Sequence, residues 1–212
     1  MNIKVCGITQ IKQLKQLDGL NIDFAGLIFH EPSPRFAGNS IVGQEVIDAD
    51  LDIKKTGVFV NAGFDEILEK IEEYELDAVQ LHGDETPELC EQLSDETEVI
   101  KVFSIVPGKE SLADELVSDY DAVCDYYLFD TAGANGLSGG TGQKFNWKAL
   151  EKCRIEKPFF ISGGISLDDV AAIKAIKHPD FFGIDINSRF EKEPGIKDMA
   201  LILQLLQAMK KK

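Results

Sequence analysis

Short apolar runs and longer amphipathic stretches alternate along the whole chain. Eight runs of β character fall at residues 3–6, 24–29, 55–60, 78–81, 99–103, 126–129, 159–161 and 182–184. Most are nearly continuous in apolar residues, as a strand buried on both faces of a parallel sheet requires. The stretches between them have a helical period. Over 65–74, Ile67, Leu68 and Ile71 share one stripe, while Glu66, Glu69, Lys70 and Glu73 fall elsewhere. Residues 167–176 and 197–209 read the same way, and Trp147 is placed to pack the start of the sixth helix. Strict βα alternation implies right-handed βαβ units. Eight of them fit a closed barrel better than an open sheet. The expected fold class is therefore α/β, a single-domain (β/α)8 TIM barrel over residues 1–212, with no linker or composition break marking a second domain. For such a barrel the chain is short, so its loops must be short too.

The informative residues are the polar ones that close these apolar runs, because core packing gives no reason for them. In a barrel such points converge on one mouth. Cys6 ends the first strand, and His30 with Ser33-Pro34-Arg35 follows the second. Asn61 follows the third, His82 the fourth, Asp130-Thr131 the sixth, Ser162-Gly163-Gly164 the seventh and Asp185 the eighth. Two late loops look built for an anion. Gly163 and Gly164 let backbone approach closely and lead into a helix at about Ser166, whose N-terminus offers free N–H groups. Asp185-Ile186-Asn187-Ser188 offers a second turn of donors, and Gly139-Gly140-Thr141-Gly142 a third. Plain readings stand beside each of these. The glycines can serve turns alone, Cys6 can be a core thiol, Arg35 a surface charge and His82 a satisfied structural histidine. Asp130 resists such a reading, since a carboxylate ending Tyr126-Tyr127-Leu128-Phe129 is costly unless it is paired, exposed at the mouth or chemically useful.

Charge and cysteine content narrow the partners. A formal charge of −15 makes nucleic acid an unsuitable partner and repels anions at long range. Any anion site must then work through local dipoles and one or two well-placed cations. Cys6, Cys90, Cys124 and Cys153 form no CxxC pair, which argues against a zinc site or a disulfide framework. No apolar run reaches the ~20 residues of a membrane span. The N-terminal residues also lack the apolar stretch of a secretory signal, so a cytoplasmic protein is expected.

Several of these segments occur together and in order. They are Lys4-Val5-Cys6-Gly7-Ile8-Thr9, Ser33-Pro34-Arg35, Gly57-Val58-Phe59-Val60-Asn61 and Val79-Gln80-Leu81-His82-Gly83. Phe129-Asp130-Thr131, Gly139-Gly140-Thr141-Gly142, Ser162-Gly163-Gly164 and Asp185-Ile186-Asn187-Ser188 follow. The chain resembles the phosphoribosylanthranilate isomerases over nearly its whole length. The combination of KVCGIT, QLHG and GGTG carries most of the specificity. The resemblance implies an Amadori rearrangement of N-(5-phosphoribosyl)anthranilate in tryptophan biosynthesis, with no metal or organic cofactor. It implies Asp130 as general acid on the ring oxygen and Cys6 as general base at the sugar C2 carbon. An acid role favours a buried carboxyl, and a base role needs surroundings that help form a thiolate. It also implies Arg35 on the anthranilate carboxylate, and Gly163, Gly164, Asn187 and Ser188 on the phosphate, assisted by Gly140 and Thr141. His82 and Asp185 are then further substrate-binding positions. The partner is a small phosphorylated substrate, and the protein is expected to be a monomer or homodimer.

One departure concerns the phosphate. Where the family usually reads Ser-Ser-Gly-Val-Glu, this chain has Asn187-Ser188-Arg189-Phe190-Glu191. Arg189 is costly if glycine is needed there for a positive φ; otherwise it adds a cation. His30-Glu31 is also less typical and sets a carboxylate near Arg35. Three other readings compete. An aminoaldose isomerase of histidine synthesis would show matching aspartates in two half-barrels, and none are found, since the first strand ends in Cys6. A catalytically silent phosphate-binding barrel would have lost Cys6 or Asp130. A fragment of a fused enzyme would lack the full set of eight units.

Overall fold

The computed structural model describes residues 1–132 and 144–211. Eight parallel strands close on themselves in sequence order. They are β1 (Asn2–Cys6), β2 (Phe24–Ile28), β3 (Lys54–Phe59), β4 (Ala78–Leu81), β5 (Glu98–Ile105), β6 (Tyr126–Thr131), β7 (Phe159–Ile161) and β8 (Phe181–Ile186). Closure is made by β8 against β1, from Asn2 opposite Gly183 to Val5 opposite Ile186. All eight expected strands are present. Asp130 and Thr131 lie inside β6 rather than just beyond it.

Helices cover the outside: α1 (Ile11–Gly19), α2 (Gly43–Ile47), α3 (Phe64–Tyr74), α4 (Pro87–Ser94), α5 (Ala113–Val117), α6 (Val170–Lys174) and α7 (Met199–Lys210). The stripe on α3 buries Ile67 and Tyr74, and Tyr74 donates its hydroxyl to the Ile41 carbonyl at 3.0 Å. Between β6 and β7 the described segment is a 310 helix, Trp147–Lys152, with Trp147 buried at its first position.

Two helical expectations are corrected. The C-terminal helix starts at Met199, because the Asp198 carboxylate caps it by accepting from the N–H groups of Ala200 and Leu201. Such a cap contributes about 1 kcal/mol and fixes the start. Lys197 instead belongs to a small antiparallel hairpin, β9 (Glu191–Glu193) with β10 (Ile196–Lys197), and is buried. After β7, a 310 turn (Leu167–Asp169) precedes the five-residue α6, so the long helix expected over 167–176 is not formed.

The barrel interior follows the two-residue period of its strands. Its lower part is a plug of Phe24, Ala78, Ile100, Val102, Leu128 and Phe160, with Tyr126 and Phe182 against it. The rings of Phe24 and Phe160 meet edge to face at 5.4 Å, and those of Phe160 and Phe182 at 5.2 Å. Two residues beyond the plug, β4 and β6 place the polar Gln80 and Asp130, and Lys4 of β1 and Asp185 of β8 join them; all four are buried.

Candidate active site

On β1, Lys4 and Cys6 are two residues apart and so share the inner face. Lys4 has no exposed surface, and its ammonium donates to Asp185 Oδ1 at 3.2 Å. A buried ammonium persists only when paired. Burial alone would depress Lys4, but Asp185 and Cys6 beside it hold it above its ordinary value, so it is charged. Burial pushes the Asp185 carboxyl up, against the pull of Lys4. Burial also dominates at Cys6, raising the thiol despite the opposing charge of Lys4 and, more distantly, Lys197. The resting residue at neutral pH is therefore a thiol beside an ammonium. Glycine at position 26 makes room for both: a Cβ there would stand 2.8 Å from Cys6 Sγ and 3.1 Å from Lys4 Nζ.

Asp130 projects from β6 toward His82. Its Oδ1 accepts from the Thr131 N–H at 2.9 Å, and its Oδ2 lies 3.5 Å from His82 Nε2. The other ring nitrogen, Nδ1, meets Gln80 Nε2 at 3.1 Å. Below His82, Glu85 accepts from the N–H groups of Asn61 and Gly83 and pairs with Lys101 at 3.0 Å. This buried pair ties the loops after β3 and β4 to β5.

The anion end is built from the loops after β7 and β8. Gly163 has φ +94, and a Cβ there would come 2.3 Å from Thr131 Oγ1, so both its conformation and its packing require glycine. The N–H groups of Gly163 and Gly164 have no acceptor among the described residues. The helix beyond contributes less than expected, because Asp169 already accepts from the Ser166 N–H and hydroxyl. Arg189 sits in a 310 turn (Ser188–Phe190) without a positive φ, so the turn does not demand the glycine usual there. The side chain is exposed at the cavity wall and has no ion-pair partner among the described residues. Gly140 and Thr141 lie outside the described residues.

Arg35 is more committed than its sequence position implied. Its Nε and Nη2 edge grips Glu191, at 3.0 and 3.1 Å from Nε and 2.8 Å from Nη2. The carboxylate beside it is thus Glu191 from the hairpin, not the neighbouring Glu31. Glu191 also accepts from Lys197 Nζ at 2.7 Å, and that ammonium reaches Asn187 Oδ1 at 2.7 Å. Burial would raise Glu191, but Arg35 and Lys197 hold it below the ordinary carboxylate value. One edge of the Arg35 guanidinium is fixed, and the outer edge faces the mouth.

These groups meet in two adjoining cavities. The inner one, ≈ 190 Å³, is lined by Cys6, Gln80, Asp130, Gly163, Asp185 and Arg189 among others. The outer one, ≈ 820 Å³, runs past His30, Phe103 and Tyr120, and Arg35 and His82 border both. Cys6, Asp130, Arg35, His82, Gly163, Gly164, Asp185, Asn187 and Ser188 thus come to one mouth. Among the described residues no group of three or more His, Cys, Asp and Glu is arranged to hold a metal ion.

Four polar groups of this site were not singled out from sequence. Lys4 and Gln80 had a readable signal, each standing two residues before a candidate, on the same strand face. Glu191 and Lys197 had none, because the hairpin that carries them interrupts a pattern that otherwise reads as turn and helix.

A barrel that gathers a thiol, a carboxyl and an anion cradle at the C-terminal ends of its strands defines an acid–base enzyme of the (β/α)8 class. The profile of the N-(5'phosphoribosyl)anthranilate (PRA) isomerase family matches residues 3–208. The N-(5'-phosphoribosyl)anthranilate isomerase of Parabacteroides distasonis is 41% identical over 209 residues, covering 98% of this chain and 92% of the relative. The crystal structure of phosphoribosyl anthranilate isomerase from Thermotoga maritima superposes with a TM-score of 0.83 at 27% identity, covering 99% of this chain and 98% of that one. A second structure of such an isomerase, in complex with reduced 1-(o-carboxyphenylamino)-1-deoxyribulose 5-phosphate, gives 0.77 at 26% identity over the same shares. The chain belongs to the N-(5'-phosphoribosyl)anthranilate isomerase family.

Proposed function

We propose that this protein converts N-(5'-phosphoribosyl)anthranilate to 1-(2-carboxyphenylamino)-1-deoxyribulose 5-phosphate, a step of tryptophan biosynthesis, with Cys6 and Asp130 as base and acid. The observation that carries this reading is their presence on the wall of one inner cavity, between the Gly163-Gly164 turn and Arg35. The substrate has two anionic ends, and the site has a cradle for each. Gly163, Gly164, Asn187, Ser188 and Arg189 would take the phosphate. The outer edge of Arg35 would take the anthranilate carboxylate.

Asp130 gives its proton to the ring oxygen as the C1–O bond breaks, and the nitrogen lone pair forms a C=N bond at C1. Cys6 removes the proton on C2; those electrons form C1=C2, and the C=N pair returns to nitrogen. The resulting enolamine tautomerises to the ketose. Because burial keeps the resting Cys6 protonated, the base form depends on Lys4 and Lys197 as counter-charges. His82 holds Asp130, and Asp185 holds Lys4 beside the thiol. Among the described residues no helix is long and apolar enough to cross a membrane, and a cytoplasmic location is part of this proposal.

The test is to generate phosphoribosylanthranilate in place and follow loss of its anthranilate-type emission with the purified protein. Turnover supports the reading. A folded protein that binds inorganic phosphate but turns nothing over would instead be a silent phosphate-binding barrel.

A further inference from the structure

Gln80 lines the inner cavity and is 1% exposed, yet its Oε1 has no hydrogen-bond partner among the described residues. A buried amide oxygen left unpaired is costly, so such an atom calls for a reason. Its orientation follows from the neighbours. Asp130 Oδ2 lies 3.5 Å from His82 Nε2, across the ring from Gln80. With the ring proton on Nε2, toward that carboxyl, Nδ1 accepts from the Gln80 NH2 at 3.1 Å. In that tautomer a flip of the amide would set its oxygen against Nδ1, acceptor against acceptor. Strand β4 holds Gln80 on its inner face, and His82 follows directly after the strand's last residue, Leu81.

We infer that Gln80 Oε1 is a substrate-binding acceptor that takes a hydroxyl of the sugar. This rests on the reaction proposed above, which puts a ribosyl unit in the inner cavity between phosphate and anthranilate. A sugar hydroxyl is a donor, and it is what an unpaired carbonyl oxygen lacks. In that tautomer the hydroxyl donates to Gln80, Gln80 to His82, and His82 points its proton toward Asp130, so the acid of the reaction and the sugar are joined by one relay.

The test uses Gln80→Leu, which removes the amide, both its oxygen and the NH2 that meets His82, and leaves an apolar side chain of similar size. Ribose 5-phosphate, inorganic phosphate and anthranilate serve as competitive inhibitors of turnover. The ribose 5-phosphate inhibition constant should rise about tenfold, as for one lost hydrogen bond to a buried group. The constants for inorganic phosphate and anthranilate should stay within about twofold, since neither probe carries a sugar hydroxyl. In a His82→Ala background the loss for ribose 5-phosphate should persist, whereas a role acting only through His82 would vanish. Ribose 5-phosphate binding unchanged by Gln80→Leu, or all three probes weakened alike, overturns the assignment. A wild type that binds phosphate but has no turnover refutes the reaction itself, and the two failures are thereby told apart.

Discussion

The lower and upper halves of this barrel's interior obey different rules, even where one strand, β4 or β6, supplies both. Below, Phe24, Leu128, Phe160 and their neighbours fill the space with rings and aliphatic groups. Above, Lys4, Gln80, Asp130 and Asp185 are just as buried, but their polar atoms are paired unevenly. Asp185 has Lys4, and Glu191 has both Arg35 and Lys197. Gln80 Oε1 has no partner among the described residues, and Cys6 is a thiol held beside a cation. On β4 and β6 a two-residue step thus separates the apolar plug from the polar residues that line the cavity.

That contrast can be pressed from the bottom up. Phe160→Ala should cost about 3–5 kcal/mol and lower Tm by roughly 10 °C, while the folded fraction keeps its kcat and KM. Thermal unfolding followed by circular dichroism, with kinetics well below Tm, checks both halves. A lower kcat without loss of Tm would mean that the plug is part of the site.

Arg35→Ala should act the other way. Glu191 retains Lys197, so no buried carboxylate is left unpaired and Tm should move little. KM should rise about 10- to 100-fold, as for a lost charge-assisted pair, with kcat much less affected. Steady-state kinetics decide it, and an unchanged KM would leave Arg35 a structural partner of Glu191.

The raised thiol makes a smaller but sharper expectation. Thiolate is the reactive form, and a pKa above the ordinary thiol value leaves little of it at neutral pH. Alkylation of Cys6 by iodoacetamide, followed by mass spectrometry, should be slow near neutrality and keep rising with pH beyond the range of an ordinary thiol. A rate already level at neutral pH would mean that Lys4 outweighs burial. Arg189→Gly should have the smallest effect, raising KM by roughly two- to fivefold with kcat and Tm unchanged, as fits one exposed charge.

The strands were legible because burial on both faces leaves an unbroken apolar signature, and their closing polar residues stood out against it. Cys6, Asp130, His82 and Asp185 were readable for that reason. The barrel cannot be inferred from any one of them; it follows from the alternation. The hairpin was not legible. Glu191 and Lys197 look like surface charges in the sequence, and only the fold shows that they face each other and Arg35 inside the protein. The helical period over 197–209 includes Lys197, and only the fold shows the Asp198 cap excluding it. The edge that Arg35 presents to a ligand likewise depends on a contact 156 residues away.

The most direct test of the account is kcat for wild type, Cys6→Ala and Asp130→Asn in the emission assay, with Tm measured alongside. A general acid or base contributes about 10²- to 10⁴-fold, so each variant should lose that much kcat, with KM and Tm close to wild type. If both variants stay folded and turn over at the wild-type rate, the acid and base lie elsewhere, and the chemistry does not reside in the upper half of the barrel.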